Sequence, residues 1–377
     1  MSQISPGTAG ASVLASHAAP AARDSRVSLL LRVVAYAASR GASEGLLGIR
    51  GVLLAILLGP AGLGTWALLR LGMRYSALAG ISVYRGMELE LLQPDAGSRG
   101  GQGNPAGRAA LGFVLLVSGT LAGIAIACSF LISEPDYRLL LRGFAAATVA
   151  ESVYGYALVC TRVRANLRLY SLLEAGTALL HLLFAVGLAW AWGLAGAFAG
   201  LTLANLAGIA AAARWVELRP VLRLEPVKRL LKIGLPVAIT MCMGILLATA
   251  DRWVLAVWGG PTMLGYYAFA GSLATAAGAF AVVIRTAVFP QVYSEAFTVG
   301  ADSALQRHLE HAVLPFARLL PPLLGALSLA LGPVVAAAMP NYIPAVPPAR
   351  LFLLAGIAIG VVSLASLGAV AAGQQRH

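Results

Sequence analysis

Charge is scarce in this chain. Asp, Glu, Lys and Arg make up 11% of its 377 residues, against 59% hydrophobic residues, and mean hydropathy is +0.82. Ordinary globular chains carry about a quarter charged residues, so a soluble fold is excluded. Lysine is almost absent, since 25 of the 27 basic residues are Arg. Cysteine is equally rare. Cys128, Cys160 and Cys242 fall in apolar stretches with no Cys or His at metal-ligand spacing. That excludes a disulfide framework and leaves them as core filler. No Ser/His/Asp set, metal-ligand spacing or strand-to-helix phosphate loop occurs. The chain therefore reads as a non-enzyme with no cofactor. The short alternating segments of a membrane barrel are missing too.

Long apolar runs are what the chain has in quantity. A bilayer needs about 20 residues per helix. Runs of that order lie near 28–59, 64–84, 109–132, 139–161, 169–190, 194–214, 233–258, 264–289, 310–338 and 349–372. The expected fold is an all-α polytopic membrane protein of about ten transmembrane helices. Residues 1–26, rich in Ala, Ser, Gly and Pro, are expected to lack fixed structure. Residues 85–108, with Gly97, Gly100, Gly101, Gly103, Pro105 and Gly107, read as a loop. Residues 215–232, with Leu222, Val227, Leu230 and Leu231 among basic residues, read as an amphipathic surface helix.

Basic residues set the expected orientation. With the N-terminus inside, cytoplasmic segments hold 16 of them, including Arg23, Arg85, Arg162, Arg219 and Lys228. The opposite side holds three, Arg138, Arg142 and Arg350. The net charge of +12 therefore belongs to the membrane surface and implies no nucleic-acid partner. Trp66, Trp190, Trp192, Trp253 and Trp258 fall near outer span ends and Trp215 near an inner one, as an aromatic belt requires.

A phrase also repeats. Gly59-Pro60-Ala61-Gly62-Leu63-Gly64-Thr65-Trp66-Ala67-Leu68 returns 201 positions later as Gly260-Pro261-Thr262-Met263-Leu264-Gly265-Tyr266-Tyr267-Ala268-Phe269. Each copy is an uncharged corner between apolar runs. Such spacing marks two homologous halves, a common plan of transporters. The repeat matches span one to span seven. The expected lobes are 27–214 (spans one to six) and 233–377 (spans seven to ten), joined by 215–232, the second lobe two helices short.

The corner Leu57-Leu58-Gly59-Pro60 through Trp66-Ala67-Leu68 carries a resemblance, as does Leu231-Lys232-Ile233-Gly234-Leu235-Pro236. Asp251-Arg252, Leu264-Gly265-Tyr266-Tyr267-Ala268, Phe289-Pro290 and Asn341-Tyr342-Ile343-Pro344-Ala345 extend it. The chain resembles the polysaccharide and O-antigen flippase family of the multidrug/oligosaccharidyl-lipid/polysaccharide exporter superfamily. The resemblance implies two six-helix lobes around a central cavity, alternating access, and a location in the bacterial cytoplasmic membrane. It implies a polyprenyl-diphosphate-linked oligosaccharide as cargo, and a polysaccharide polymerase and glycosyltransferases as partners. The alternatives are a cation-coupled drug antiporter of the same superfamily, or a truncated, non-transporting component of polysaccharide assembly.

Ionisable residues inside spans are the candidate site, because a mid-bilayer charge costs roughly 3 kcal/mol on insertion scales. Arg70 and Arg74 share one helix face; they either line the cavity or pair with Glu151 or Glu174. Arg32, Arg40, Glu44 and Arg50 form a polar sector of span one, Arg50 being its substrate candidate. Arg285, near an inner end, can guard the cytoplasmic entrance or simply snorkel. Glu151, Glu174 and His181 are the deep titratable groups. Each can take a proton or Na⁺ during coupling, or serve as an ion-pair partner or packing histidine. Asp251 and Arg252 are expected to pair locally. The substrate set is thus Arg50, Arg70, Arg74 and Arg285, and the ion-coupling or ion-pair set Glu151, Glu174, His181, Asp251 and Arg252.

Topology reporters test this layout. Fusions at Gly103 and Lys228 are expected to read cytoplasmic, and those at Pro135 and Pro261 external. A cytoplasmic signal at Pro261 would break the alignment of the two halves.

Overall fold

A computed structural model describes residues 10–91, 105–163, 167–278 and 306–371; the side chains discussed begin at Gly41. The described residues are mostly helical, beginning with α1 (Gly10–Leu91), α2 (Pro105–Leu131), α3 (Pro135–Val163), α4 (Leu167–Ala212) and α5 (Leu224–Val254). A short π-helical turn, Leu255–Gly259, links α5 to α6 (260–278). Then come α7 (Leu314–Ala338), a 3₁₀ segment Pro340–Ala345 and α8 (Val346–Ala371). Seven of these stretches are long and apolar enough to cross a membrane. Three are double, because the backbone breaks at Gly59, at Trp192-Gly193 and at Gly260. That gives ten crossing segments among the described residues, and the chain is a multi-pass membrane protein.

Both repeated corners have the same backbone. Gly59 adopts φ 67°, ψ 178°, and Gly260 adopts φ 72°, ψ −179°. This region is open only to glycine, and the proline that follows holds its predecessor extended. The corners then meet. A Cβ on Gly64 would lie 1.7 Å from the Pro261 carbonyl oxygen, and one on Gly265 would lie 1.8 Å from that of Pro60. The contact is reciprocal, as a two-fold relation demands. A second reciprocal contact lies deeper. Gly48 faces Ala276, with 2.8 Å between an added Cβ and the alanine Cβ. Tyr75 shares a 2.7 Å hydroxyl hydrogen bond with Thr249. The 201-residue shift carries Gly48 onto Thr249 and Tyr75 onto Ala276. The halves of the repeat are therefore packed crosswise around a pseudo-two-fold axis.

The break at Gly59 leaves carbonyls of the last turn without helical partners. Tyr342, 2% exposed, answers one of them by donating its hydroxyl to the Ala55 carbonyl at 3.0 Å. Its ring sits between Tyr266 and Phe269. The 3₁₀ segment thus pins the second half to span one. At the linker end, Gly86 and Gly234 let α1 and α5 touch backbone to backbone, against the carbonyls of Leu230 and Ser82. Buried Glu88 and Glu90 receive Arg85 and Arg162, and Arg229, respectively.

Several expectations need correction. Residues 10–26 are helical and continue into span one; Ala11, Ala15, Ala18, Ala19, Ala21 and Ala22 supply strong helix propensity. Helix α1 runs on to Leu91 and α2 starts at Pro105, so the segment expected as a loop over 85–108 is helical at both ends. The strong helix formers Met87, Glu88, Leu89 and Glu90, with the buried ion pairs, account for the first extension. The linker is not one amphipathic helix. Residues 213–223 are non-helical and α5 begins at Leu224. Pro220 blocks a helix through that point, and the Val221 N–H donates instead to the Arg108 carbonyl at 3.0 Å. Trp66 belongs to no surface belt: it is 5% exposed and stacks on Phe198. Trp190, Trp192 and Trp258 are exposed.

The corner contact is testable by overpacking. Gly64→Leu and Gly265→Leu are expected to cost about 1–3 kcal/mol each, read as a lower thermal midpoint of the purified protein. Gly119→Leu, at a position with nothing within 4 Å, is expected to leave the midpoint unchanged.

Candidate functional site

A cavity lies on the pseudo-two-fold axis. Its walls hold repeat-related pairs: Leu63 and Leu264, Trp66 and Tyr267, Ala67 and Ala268, Gly51 and Arg252. Two further pairs decide its charge. Arg70 matches Gly271, and Arg74 matches Thr275, all four lining the same space. The first half therefore supplies two cations where the second supplies none. Arg50 and Glu44 complete the polar wall. The cavity holds about 250 Å³. Four arginines face one glutamate there.

These arginines are held in different ways. Arg50 is 6% exposed. Its guanidinium carbon lies 5.4 Å from the centre of the Trp66 ring, a cation–π arrangement. It donates through Nη1 to His181 Nδ1 at 3.2 Å. A guanidinium only donates, so His181 accepts there and carries its proton on Nε2, which donates to Asn205 Oδ1 at 3.0 Å. Arg70 donates to Glu151 at 3.4 Å, both side chains about one-third exposed. The Arg74 and Arg252 side chains make no hydrogen bond or ion pair with any described residue.

A neighbouring pocket lies within the first lobe. Ser43, Glu44, Arg70, Glu151, Glu174, His181 and Asn205 are among its lining residues. Asn205, 1% exposed, has its Nδ2 without a partner among the described residues. Across the axis, Tyr267 donates its hydroxyl to Asp251. The repeat relates Tyr267 to Trp66 and Asp251 to Arg50. The same two positions thus pair in both halves with opposite charge, Arg50 over the Trp66 ring face and Asp251 accepting from the Tyr267 hydroxyl.

The structure gathers Arg50, Arg70, Arg74 and Arg252 around one cavity. It places Glu151, Glu174 and His181 around the adjoining pocket. Asp251 takes Tyr267, while the Arg252 side chain turns into the cavity. Arg285 lies outside the described residues, as do the side chains of Arg32 and Arg40. Trp66, Tyr267 and Asn205 escaped sequence reasoning. The shift of 201 already relates positions 66 and 267, and positions 50 and 251, so the repeat held the signal for the first two. Asn205 gave none beyond being an amide in an apolar span.

The fold has known counterparts. The chain aligns with an inward-facing multidrug-resistance MATE-family transporter of the MOP superfamily at 14% identity and TM-score 0.60, over 88% of this chain and 81% of that one. It aligns with the eukaryotic MATE transporter AtDTX14 at 11% identity and TM-score 0.53, over 92% and 84%. It also aligns with the Vibrio cholerae MATE transporter VcmN at 14% identity and TM-score 0.52, over 93% and 86%. The shared property is the MATE-transporter fold. No protein-family profile and no curated protein sequence matches the chain.

The buried relay generates a coupling prediction. His181→Ala removes the acceptor of a buried guanidinium and is expected to cost about 1–3 kcal/mol. Arg50→Met in the same background is expected to restore part of the loss. A double-mutant cycle on thermal midpoints measures the interaction, and simple additivity would show that the two groups do not depend on each other.

Proposed function

We propose that this chain is a membrane transporter that moves an anionic, lipid-linked cargo through the cavity between its lobes by alternating access. The carrying observation is the cavity's charge, with Arg74 and Arg252 left without partners among the described residues. Cations held in a low-dielectric wall call for an anion. Arginine's planar fork suits phosphate, because it donates two parallel hydrogen bonds. A polyprenyl-diphosphate-linked oligosaccharide meets these terms, its diphosphate at the arginines and its tail in lipid. The setting would be the bacterial cytoplasmic membrane, beside glycosyltransferases and a polysaccharide polymerase.

A second reading is a cation-coupled antiporter of drugs or small molecules. The fold comparisons favour it over a flippase, since all three solved structures are described as MATE transporters and one of them as a multidrug-resistance member. Glu44, Glu151 and Glu174 give it a carboxylate pocket. The cavity's four arginines weigh against a cationic cargo, which would have to displace or outlast their repulsion.

Purified full-length protein in liposomes separates the readings. A fluorescent polyprenyl-diphosphate disaccharide is expected to cross leaflets, and Arg70→Ala, Arg74→Ala and Arg50→Ala each to slow it about tenfold or more, the worth of a charged hydrogen bond. Arg→Lys should rescue in part, keeping charge and losing the fork. Ethidium movement driven by a proton gradient, with no lipid flipping, would establish the antiporter instead.

A further inference from the structure

We infer that the strap joining the two lobes, residues 213–223 with the first turns of α5, binds anionic phospholipid headgroups at the bilayer surface. The inference does not depend on what the cavity carries. Helix length sets the height of the strap. From the break at Trp192-Gly193, α4 runs on to Ala212, a reach of about 28 Å at 1.5 Å per residue. That matches the thickness of the hydrocarbon core, so the chain leaves it near Ala212.

There the chain folds back on the first lobe. Residues 213–223 are non-helical. The Val221 N–H donates to the Arg108 carbonyl at 3.0 Å, and the Tyr156 hydroxyl donates to the Glu217 carbonyl at 3.4 Å. A Cβ on Gly112 would lie 2.6 Å from the Val221 carbonyl oxygen, so a side chain there would lift the strap away. Val216 is buried beside Met87, Leu111 and Leu230, and Leu218 packs against the same cluster. One face of the strap is thus fastened to α2 and α3.

The other face is open. Trp215, Leu222 and Leu224 are 42%, 60% and 68% exposed. Arg214, Arg219, Arg223, Lys228, Arg229 and Lys232 are exposed among them. Over residues 213–232 these six basic residues outnumber the two acidic ones, Glu217 and Glu225. Arg229 goes to Glu90, Lys228 to Glu225, and Glu217 faces Arg108. Arg214 lies over the Trp215 ring, 5.4 Å from its centre. The side chains of Arg219, Arg223 and Lys232 make no ion pair or hydrogen bond with any described residue.

A face turned to water has no use for an exposed indole and two leucines, and a face turned to hydrocarbon does not keep three unpaired cations. The headgroup layer accommodates both. The indole and leucines enter the acyl boundary, and the cations reach out to phosphates. The local excess of positive charge makes anionic phospholipid the complementary partner, each basic residue adding about fivefold to the attraction. An acidic protein would answer the cations alone. Because its other face is fastened to α2 and α3, the strap holds that end of the first lobe at the membrane surface.

Quenching of Trp215 in the purified full chain, reconstituted in phosphatidylcholine liposomes, tests this. A minor fraction of the lipid is phosphatidylglycerol, brominated near the headgroup end of its acyl chains, or identically brominated phosphatidylcholine. The Trp215 signal is the difference between wild type and Trp215→Phe. Brominated phosphatidylglycerol is expected to be preferred by at least about fivefold. The preference is expected to fade as NaCl rises from about 0.05 to about 0.5 M, because salt screens exposed charges. A variant carrying Arg219→Gln, Arg223→Gln and Lys232→Gln is expected to lose most of it. That variant spares Arg214, so the reporter keeps its stacking partner, and its thermal midpoint in detergent is expected to match wild type. The salt series needs no variant. Equal quenching by the two lipids in wild type, or a preference that salt leaves untouched, overturns the inference. A preference that survives in the triple variant overturns the assignment to these three cations. No quenching of Trp215 by either lipid, with binding of polyglutamate in its place, overturns the lipid and gives the surface to an acidic protein.

Discussion

Two glycine-proline corners pressed against each other hold the rest of this structure in place. Each corner needs a conformation closed to other residues, and each presents a proline carbonyl to the other half's glycine. Nothing larger than hydrogen fits between them. In lipid, where apolar side chains gain little by meeting one another, such close backbone contact is a main source of helix association. The crossing point also fixes where the axis runs. Because spans one, two, seven and eight all meet near it, the space they enclose is shared by both halves, and that space is the arginine-lined cavity.

Charge is then distributed unevenly on a symmetric frame. The repeat would allow equal walls, yet Arg70 and Arg74 face Gly271 and Thr275 across the axis. Each buried cation must be met by something, since an unmet charge in low dielectric costs several kcal/mol. Arg50 is met by the Trp66 face and by His181, Arg70 by Glu151. Arg74 and Arg252 keep their hydrogen-bonding capacity turned toward the cavity. The graded satisfaction of these four groups separates architecture from recognition: the best-met arginine builds the wall, and the least-met ones are left to a ligand.

The bilayer made much of this legible in advance. Span number, the corners and the pairing of halves could be read because the membrane forces long apolar runs, and because Gly59 and Gly260 tolerate no substitute. The gathering of Arg50, Arg70 and Arg74 was readable for the same reason, as charges in spans seldom face lipid. What stayed hidden depends on contacts distant in sequence. The Arg50–His181 pairing joins residues 131 apart, and the Tyr342 hydrogen bond to Ala55 joins residues 287 apart. No local pattern encodes either. Trp66 looked like a belt residue because its position along the span suited one; only the packing of Phe198 and Arg50 shows that it faces inward. The linker is helical only from Leu224 on, because Pro220, whose missing N–H and ring interrupt a helix, outweighs the apolar spacing of the segment before it.

The repeat-related pair at positions 50 and 251 shows how one frame acquires direction. Both sites set an ionised group against an aromatic side chain, Arg50 on Trp66 and Asp251 on Tyr267. The pairing of the two positions recurs in both halves, and the sign of the charge does not. A cavity with equal walls would treat a ligand alike from either lobe. With three of the four cavity arginines on the first lobe, an anion would be held more tightly there. On the anionic-cargo reading proposed above, rocking of the second lobe would expose or cover a ligand held mainly by Arg50, Arg70 and Arg74 of the first, with Arg252 alone reaching it from the second. On that reading, unequal charge on equal halves would give gripping mainly to one lobe and leave the other to move, a division of labour that symmetry in the backbone alone could not supply.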